Sequence, residues 1–176
     1  ATLAIEDKRF NQHYGVDVWA ILRAVKLNAS NRKVMSGGST ISMQVIRILE
    51  GRKNRTVLNK IIEAVHAIKL ETLYSKDEVL KFYFEIAPYG GNIQGVKAAS
   101  LRYFNKNPSD LTLAESALLA GIPQSPSRLR PDRHLERAKK RRDMALSSML
   151  KNKYITINQY QEAVKEPVIV GNYPFP

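Results

Sequence analysis

The stretch AIEDKRFNQHYGVD, residues 4–17, holds the first side chains whose types could do chemistry. Glu6 and His13 are groups that can transfer protons, and Phe10 is a single large apolar residue among many charges. A helix through residues 2–10 would put Glu6 and Arg9 on one face. The stretch is therefore either the edge of an active site or a solvated helix end, and charged runs usually lie in water.

A second candidate, SGGST at residues 36–40, combines glycines with hydroxyl groups. Glycines let a backbone approach a ligand, and free amides and hydroxyls at a helix start suit a phosphate or sugar oxygen. We expect Ser39 to cap the next helix, with Gln44 and Arg47 about one turn and nearly two turns further along. A glycine-rich turn with a serine cap explains the same residues without a ligand.

A polar row is the third candidate. Arg55, Asn59 and Glu63 are four residues apart, which places them on one helix face, and Lys60 neighbours that row. A solvated face explains such a row more often than catalysis does. The apolar side of this helix is expected to be filled by Val57, Ile61 and Ile68.

Composition excludes several kinds of site. The chain has no cysteine, so disulfides, thiolate catalysis and cysteine-bound metals are excluded. Its three histidines are scattered, and His66 is expected to be a packed or capping residue, because no second histidine or carboxylate sits beside it at metal spacing. The net charge of +12 attracts polyanions, anionic membrane surfaces or phosphorylated substrates without distinguishing among them.

The candidate residues lie in a sequence whose pattern of apolar residues is helical nearly throughout. Apolar spacing predicts an all-α chain of about eight or nine helices, with a long one from about Thr56 to Tyr74. Asp17 is expected to cap the second helix, and Ser75 with Glu78, Thr112 with Glu115 and Thr156 with Gln159 have the spacing of capping boxes. Only PVIVG, residues 167–171, has the pattern of a strand. No run of about 18 apolar residues is present to span a membrane. Because the chain starts inside an apparent helix, we expect it to be part of a longer protein.

Taken together and in order, the motifs resemble the family 51 peptidoglycan glycosyltransferases. These are the polymerase domains of bifunctional penicillin-binding proteins and of monofunctional transglycosylases. The resemblance runs from Ile5 to about Leu150 and is carried by EDKRFNQHYGVD, GGSTISMQ, a basic connector with Glu63 downstream, YGGNIQGVKAASLRYFNK and LAESALLAGIPQSPSRLRP. The segments APYGGNIQG and PQSPSRLRPDRHLERA look most like the penicillin-binding protein 1C branch.

The resemblance implies that Glu6 is the catalytic base. It would take a proton from a sugar 4-hydroxyl as that oxygen attacks the anomeric carbon of a lipid-linked donor, which inverts an α linkage to β-1,4. The leaving undecaprenyl pyrophosphate needs cations, and the family positions for these fall on Arg47, Arg55 and Lys60. The other substrate-binding positions implied are Asp7, Phe10, His13, Ser39, Thr40 and Gln44.

The second family glutamate falls on Glu63. The resemblance gives it a catalytic role, either orienting the cations or holding a divalent ion such as Mg or Mn. Two positions depart from the family pattern. Arg47 stands where lysine is usual, and Asn59 stands where arginine is usual, a change that bears on one phosphate contact of the family.

The family fold is lysozyme-like and mostly α, with a small membrane-facing jaw lobe. We expect a glycosyltransferase domain at residues 1–165, the jaw lobe at about 18–35, and a linker at 166–176 toward a transpeptidase domain absent from this chain. The jaw segment combines apolar and cationic side chains that suit a membrane interface. They are Trp19, Ile21, Leu22 and Val25 with Arg23, Lys26, Arg32 and Lys33.

The resemblance also implies partners and a location. The partners are lipid II, the growing lipid-linked glycan strand, a membrane surface and phosphoglycolipid inhibitors of the moenomycin type, and nucleic acid is not expected. The location is the outer, periplasmic face of the bacterial cytoplasmic membrane. The parent protein would be anchored there by an N-terminal transmembrane helix that is not in this chain.

Three other functions stay open on the residues alone. A lysozyme-like hydrolase would share a helical fold and a glutamate acid, but it would not need cations for a leaving phosphate. A helical nucleic-acid binder accounts for the charge and for the segment ERAKKRRDM, but it leaves the ordered glycine and glutamate motifs unexplained. A non-catalytic scaffold fits Asn59 and Arg47, but not the presence of Glu6, Gln44, Arg55 and Glu63.

Overall fold

The structure is a computed structural model that describes residues 1–31, 38–51, 56–171 and 173–174, with the side chains of 25–31 outside the description. Ten α-helices and one short hairpin fall in these ranges, so the all-α prediction is confirmed. The helices are α1 (Thr2–Glu6), α2 (Val18–Asn31), α3 (Ile41–Leu49), α4 (Val57–Leu73), α5 (Lys76–Ile86), α6 (Val96–Phe104), α7 (Leu113–Gly121), α8 (Pro126–Leu129), α9 (Leu135–Lys151) and α10 (Ile157–Lys165). The strands are β1 (Pro88–Gly90) and β2 (Ile93–Gln94).

Local side-chain chemistry sets where several helices begin. In three places a hydroxyl accepts the backbone N–H three residues on, while the side chain of that later residue accepts the N–H of the capping residue. The three pairs are Ser75 with Glu78, Thr112 with Glu115, and Thr156 with Gln159. Asp17 caps α2 by accepting the N–H of Ala20 at 2.7 Å. These four caps were all predicted from the sequence.

The described residues form two compact units. The first comprises Ala1–Lys8 and Phe84–Pro176, and the second comprises Arg9–Tyr83. In the first unit α7 packs against α9, and α1 packs against both. Their shared core consists of small and aliphatic side chains, which allow close helix approach. Its buried members are Ala4, Ala114, Ala117, Ala145, Leu146, Met149 and Ala163.

The second unit is built on the pairing of α3 with α4. Ser42 on α3 donates to Glu71 on α4. Gly15 lies against α4, where a Cβ would approach the backbone of Ala67 to 2.5 Å, and its φ of +72° is in the region that favours glycine. Glycine is therefore required here for backbone packing.

The β-hairpin was not predicted. β1 and β2 pair antiparallel through Pro88 with Gln94 and Gly90 with Ile93. Gly90 has a φ of +101°, and a Cβ there would lie 2.4 Å from Cγ of Arg130. The glycines of APYGGNIQG thus build a tight turn against a long side chain.

The predicted strand at residues 167–171 is wrong. The segment is irregular, and the N–H of Gly171 donates to the carbonyl of Tyr103 in α6 at 3.0 Å. A β-branched run becomes a strand only where another strand supplies hydrogen bonds, and here a helical carbonyl takes that place. Among the described residues, no helix is long and apolar enough to cross a membrane.

Candidate functional site

The predicted site residues are divided between the two units. Glu6 and Asp7 belong to the first unit, and the other described candidates belong to the second. Arg55 lies outside the described residues, as do the jaw cations Arg32 and Lys33. The side chains of Val25 and Lys26 also lie outside the description.

Glu6 is the last residue of α1, and its side chain is only 8% exposed. A guanidinium nitrogen of Arg141, from α9, lies 3.3 Å from its Oε1. The helix that carries Glu6 is tied to α9, because the hydroxyl of Ser148 on α9 donates to the carbonyl of Ala4. The first unit therefore holds a nearly buried carboxylate beside a cation.

Asp7 follows directly and closes the helix. It is buried, and its backbone N–H donates to the carbonyl of Leu3 at 3.2 Å. Its φ of −153° and ψ of 80° lie outside the helical range, so the chain leaves the helical path at this residue. The predicted helix through residues 2–10 is therefore wrong, because α1 ends at Glu6 and residues 10–12 form a separate 3₁₀ turn.

The early end of α1 changes the partner of Arg9. Instead of sharing a helix face with Glu6, Arg9 forms a two-pronged ion pair with Asp17, whose Oδ2 lies 2.9 Å from Nε. Hydrogen bonding from Arg9 lowers the pKa of Asp17 against the opposing effect of burial, and the N–H of Ala20 lowers it further. This pair secures the segment that leads into α2.

Phe10 and His13 do lie together. Phe10 is buried, and the two rings meet edge to face with centroids 6.2 Å apart. The ammonium of Lys76 lies 4.4 Å from the Phe10 ring centroid and 2.7 Å from Oε2 of Glu71. A cation over an aromatic face is attractive, so Phe10 is held between an imidazole and a lysine.

Thr40, not Ser39, caps α3. Its hydroxyl accepts the N–H of Met43 at 3.2 Å and donates to the carbonyl of Gly15 at 2.5 Å. Ser39 is the preceding, half-buried residue. The prediction that Ser39 caps the helix is wrong, because the helix starts one residue later and the Thr40 hydroxyl can satisfy two backbone groups at once.

The glycine before these hydroxyls has a packing role. A Cβ on Gly38 would lie 2.8 Å from Cα of Ile21 on α2, so glycine permits close approach of two backbones. Further along α3, Gln44 is buried and Arg47 is half-buried in the last turn. The predicted spacing of these two side chains on one helix is confirmed.

On α4, Glu63 is buried at 6% exposure, whereas Lys60 is exposed and Asn59 is half-buried. His66 pairs with Glu50 through Nδ1 and Oε1 at 2.5 Å and is half exposed, so the expectation of a packed or capping histidine is wrong. A carboxylate across from α4 supplies its partner. In the part of the chain that the structure describes, no three histidine, aspartate or glutamate side chains group to hold a metal ion.

The apolar side of α4 does not fill a core. Val57, Ile61 and Ile68, which were expected to fill the apolar side of this helix, are all exposed. Glu63, Ala67 and Leu70 are the buried residues of this helix. We name the exposed set the apolar face of α4; it consists of Val57, Leu58, Ile61, Val65 and Ile68.

Arg141 is the residue that sequence reasoning missed. It occurs in the segment ERAKKRRDM, for which the sequence analysis considered only the positive charge. Its contact with Glu6 joins residues 135 positions apart, so no helical spacing could have linked the two.

A model of the transglycosylase family matches residues 1–150. The chain belongs to the transglycosylase family. The prediction of a peptidoglycan glycosyltransferase is thereby confirmed at the level of the family.

Relatives of this transglycosylase chain are named penicillin-binding protein 1A. The chain is 44% identical over 166 residues to that protein of Neisseria lactamica, an alignment that covers 94% of this chain and 21% of the relative. It is 41% identical over 170 residues to that of Aquifex aeolicus, covering 97% of this chain and 23% of the relative. The chain therefore spans about a fifth of the length of these relatives.

A solved structure of penicillin-binding protein 1A from Haemophilus influenzae is also similar. The TM-score is 0.55 at 39% identity, over 58% of this chain and 15% of that chain. The prediction of an all-α, lysozyme-like transglycosylase fold is confirmed. The finer likeness to the 1C branch is not supported, because these relatives carry the name 1A.

Proposed function

We propose that this transglycosylase chain polymerises lipid II into β-1,4-linked glycan strands, with inversion and release of undecaprenyl pyrophosphate. The observation that supports this most is the position of Glu6. The residue that matches the family base ends α1, is only 8% exposed, and lies beside a cation. A carboxylate that is shielded from water and kept ionised is suited to remove a proton.

In the proposed reaction, Glu6 takes the proton of the acceptor 4-hydroxyl while that oxygen bonds to the anomeric carbon of the donor. The bond from that carbon to the pyrophosphate oxygen breaks, and its electron pair leaves with the pyrophosphate. Arg47, Arg55 and Lys60 supply positive charge for the leaving group. Arg47 keeps the charge of the usual lysine but presents a planar fork instead of a point charge.

The remaining family positions shape the substrate path in this proposal. Asp7, Phe10 and His13 are family positions that shape the site, and Gln44 and the Ser39 hydroxyl contact sugar and phosphate. Thr40 acts by holding the start of α3, because its buried hydroxyl bonds to two backbone groups. Glu63 orients the cations in this proposal. Its low exposure supports a role in positioning other side chains. A divalent ion at Glu63 stays a prediction, and no step of the reaction is assigned to it.

We place the parent protein at the outer face of the cytoplasmic membrane, held by an anchor outside this chain. The apolar face of α4 supports contact between the second unit and a membrane surface, as do the exposed Val18, Trp19 and Leu22 of α2. Contiguous exposed apolar side chains near cations are typical of surfaces that meet lipid. Inhibitors of the moenomycin type are expected to compete with lipid II.

The experiment is polymerisation of purified lipid II in detergent, read as glycan ladders on a gel. We expect the chain to form ladders, and Glu6→Gln to reduce the rate by on the order of 100-fold or more. Glu162→Gln is the matched control, since it removes the same charge from an exposed position of α10 in the same unit. It should behave like the unchanged chain.

Other outcomes would alter or reject the proposal. Ladders that persist in Glu6→Gln would move the base elsewhere, with Glu63→Gln as the next variant to test. Products shorter than the substrate would favour a hydrolase. An unchanged chain that binds lipid II but forms no product would contradict catalysis by this chain.

A further inference from the structure

We propose that Arg141 is a positioning residue for Glu6, a role that rests on the proposed function. Arg141 lies on α9 in the same compact unit as Glu6. Its guanidinium acts on the carboxylate that would remove the proton, so it works through Glu6 and has no assigned contact with substrate.

The environment of the pair makes the interaction strong. Nη2 of Arg141 lies 3.3 Å from Oε1 of Glu6, and the two side chains are 14% and 8% exposed. Water and salt screen such a pair much less than a surface pair. A carboxylate at this depth without a cation would tend to take up a proton, and a carboxyl group that already holds a proton cannot act as the base. Arg141 therefore keeps Glu6 ionised and fixes the direction of its carboxyl group.

Arg141 is itself held in place by α7. Its Nε donates to the carbonyl of Gly121 at 3.4 Å. A Cβ on Gly121 would lie 2.6 Å from Cγ of Arg141, so the absence of a side chain opens the path that the arginine stem follows. The backbone at Gly121 is helical, and alanine could adopt it. Three packed helices thus determine where the guanidinium lies: α1, α7 and α9.

The neighbouring arginine has a different task. Arg142 is buried and donates to the carbonyls of Glu166 and Val164 at 2.8 and 3.1 Å. These contacts fix the end of α10 to α9 and do not involve Glu6. Arg137, one turn before Arg141 on the same helix, is exposed. The chain therefore supplies a structural control and a charge control for the same experiment.

In the proposed reaction the pair affects turnover more than binding. When Glu6 has accepted the proton, the nearby guanidinium favours loss of that proton and return of the base to its ionised form. Removal of Arg141 should lower kcat for lipid II by on the order of 100-fold and change KM by less than about twofold.

The first test compares Arg141→Gln, Arg141→Lys, Arg137→Gln and Arg142→Gln by lipid II polymerisation and thermal unfolding. Arg141→Gln should lose kcat, and Arg141→Lys should recover part of it because the charge is retained. Arg137→Gln should match the unchanged chain. Arg142→Gln should lower Tm while the folded fraction keeps its kcat.

A second test does not depend on turnover. Urea unfolding of the unchanged chain, Glu6→Gln, Arg141→Gln and the double variant forms a cycle, and the two substitutions should be clearly non-additive. Gly121→Ala, which keeps both charges but crowds the stem of Arg141, should lower kcat. It should have no further effect on kcat in the Arg141→Gln background.

Several results would overturn the proposal. If the two substitutions change the free energy of unfolding additively, Glu6 and Arg141 do not interact. If they are non-additive but kcat is unchanged in Arg141→Gln, the contact is purely structural. A rise in KM with kcat unchanged would indicate a substrate contact. If Arg141→Gln loses kcat while Glu6→Gln stays active, Glu6 is not the base, and the proposed function fails separately from the arginine contact.

Discussion

At the scale of single residues, the Arg9–Asp17 pair has a measurable pH dependence. Because Arg9 lowers the pKa of Asp17, this carboxylate stabilises the folded chain above its unfolded pKa of about 3.9. That contribution is lost as the pH falls through the lower folded value. We expect Asp17→Asn to lower the free energy of unfolding at pH 7 by about 1 kcal/mol, the upper end for a partly exposed pair.

The choice of asparagine isolates the charge, because Asn caps a helix about as well as Asp. Asp17→Ala should cost about 1 kcal/mol more, since the N–H of Ala20 then loses its acceptor. Urea unfolding at pH 7 and near pH 3 measures both effects. The difference between the unchanged chain and Asp17→Asn should shrink at the lower pH, and a constant difference would contradict the ion-pair explanation.

The same segment shows what one sequence can predict about single residues. The Asp17 cap depends on residues three apart, and it was predicted correctly. The partner of Glu6 is 135 positions away, and it depends on how helices pack. The end of α1 at Glu6 was not predicted either, because helix propensity favours continuation through Lys8 and Arg9, whereas Arg9 pairs with Asp17 instead.

At the scale of elements, α4 presents the most unusual surface. A helix with its aliphatic residues outward and a glutamate inward is the reverse of an ordinary surface helix. If the apolar face of α4 meets lipid, a charge at its centre should weaken binding. We expect Ile61→Asp to reduce partition into neutral phosphatidylcholine vesicles about tenfold or more, since burial of an isoleucine is worth about 1.5–3 kcal/mol.

Ile157→Asp is the matched control for that measurement. Ile157 is 53% exposed and Ile61 is 57% exposed, and each variant replaces the same residue by the same charge. Ile157 begins α10, in the other compact unit. Flotation of vesicles with each variant should show a large effect for Ile61→Asp and almost none for Ile157→Asp. Equal effects would mean that α4 makes no specific contact with lipid.

Elements whose signals are local were the most predictable. The capping boxes and the bounds of α4, expected from about Thr56 to Tyr74 and found from Val57 to Leu73, depend on neighbouring residues. The face that a helix buries depends on its partners, so periodicity correctly gave a helix at α4 but the wrong inward side. The hairpin at Pro88–Gln94 is local as well, but its strands of three and two residues are too short to give an alternating pattern. The segment at 167–171 was wrongly predicted as a strand because a strand needs a partner strand, which periodicity does not supply.

At the scale of the whole molecule, the division into two units had no signal in composition. The chain passes between them at Lys8 and Arg9 and again at Tyr83 and Phe84, inside α5, and neither point is a glycine- or proline-rich linker. Linker composition indicates a boundary only where the chain between units is irregular. The family, in contrast, was predictable from the order of its motifs, since that order does not depend on packing.

The net charge of +12 belongs to the whole molecule, and its effect can be separated from that of α4. We expect binding to vesicles that contain phosphatidylglycerol to exceed binding to neutral vesicles at 0.1 M salt. The excess should disappear at 1 M salt, because the Debye length falls from about 10 Å to about 3 Å.

The loss of vesicle binding caused by Ile61→Asp should remain at 1 M salt, because salt does not screen apolar contact. Vesicle flotation at the two salt concentrations measures the charge-dependent and the apolar contributions to binding. Duplex DNA is the informative competitor: the charge alone predicts weak binding at 0.1 M salt, equally for Ile61→Asp and Ile157→Asp. DNA binding that persists at 1 M salt, with vesicle binding that does not respond to Ile61→Asp, would favour the nucleic-acid alternative over a lipid-surface enzyme.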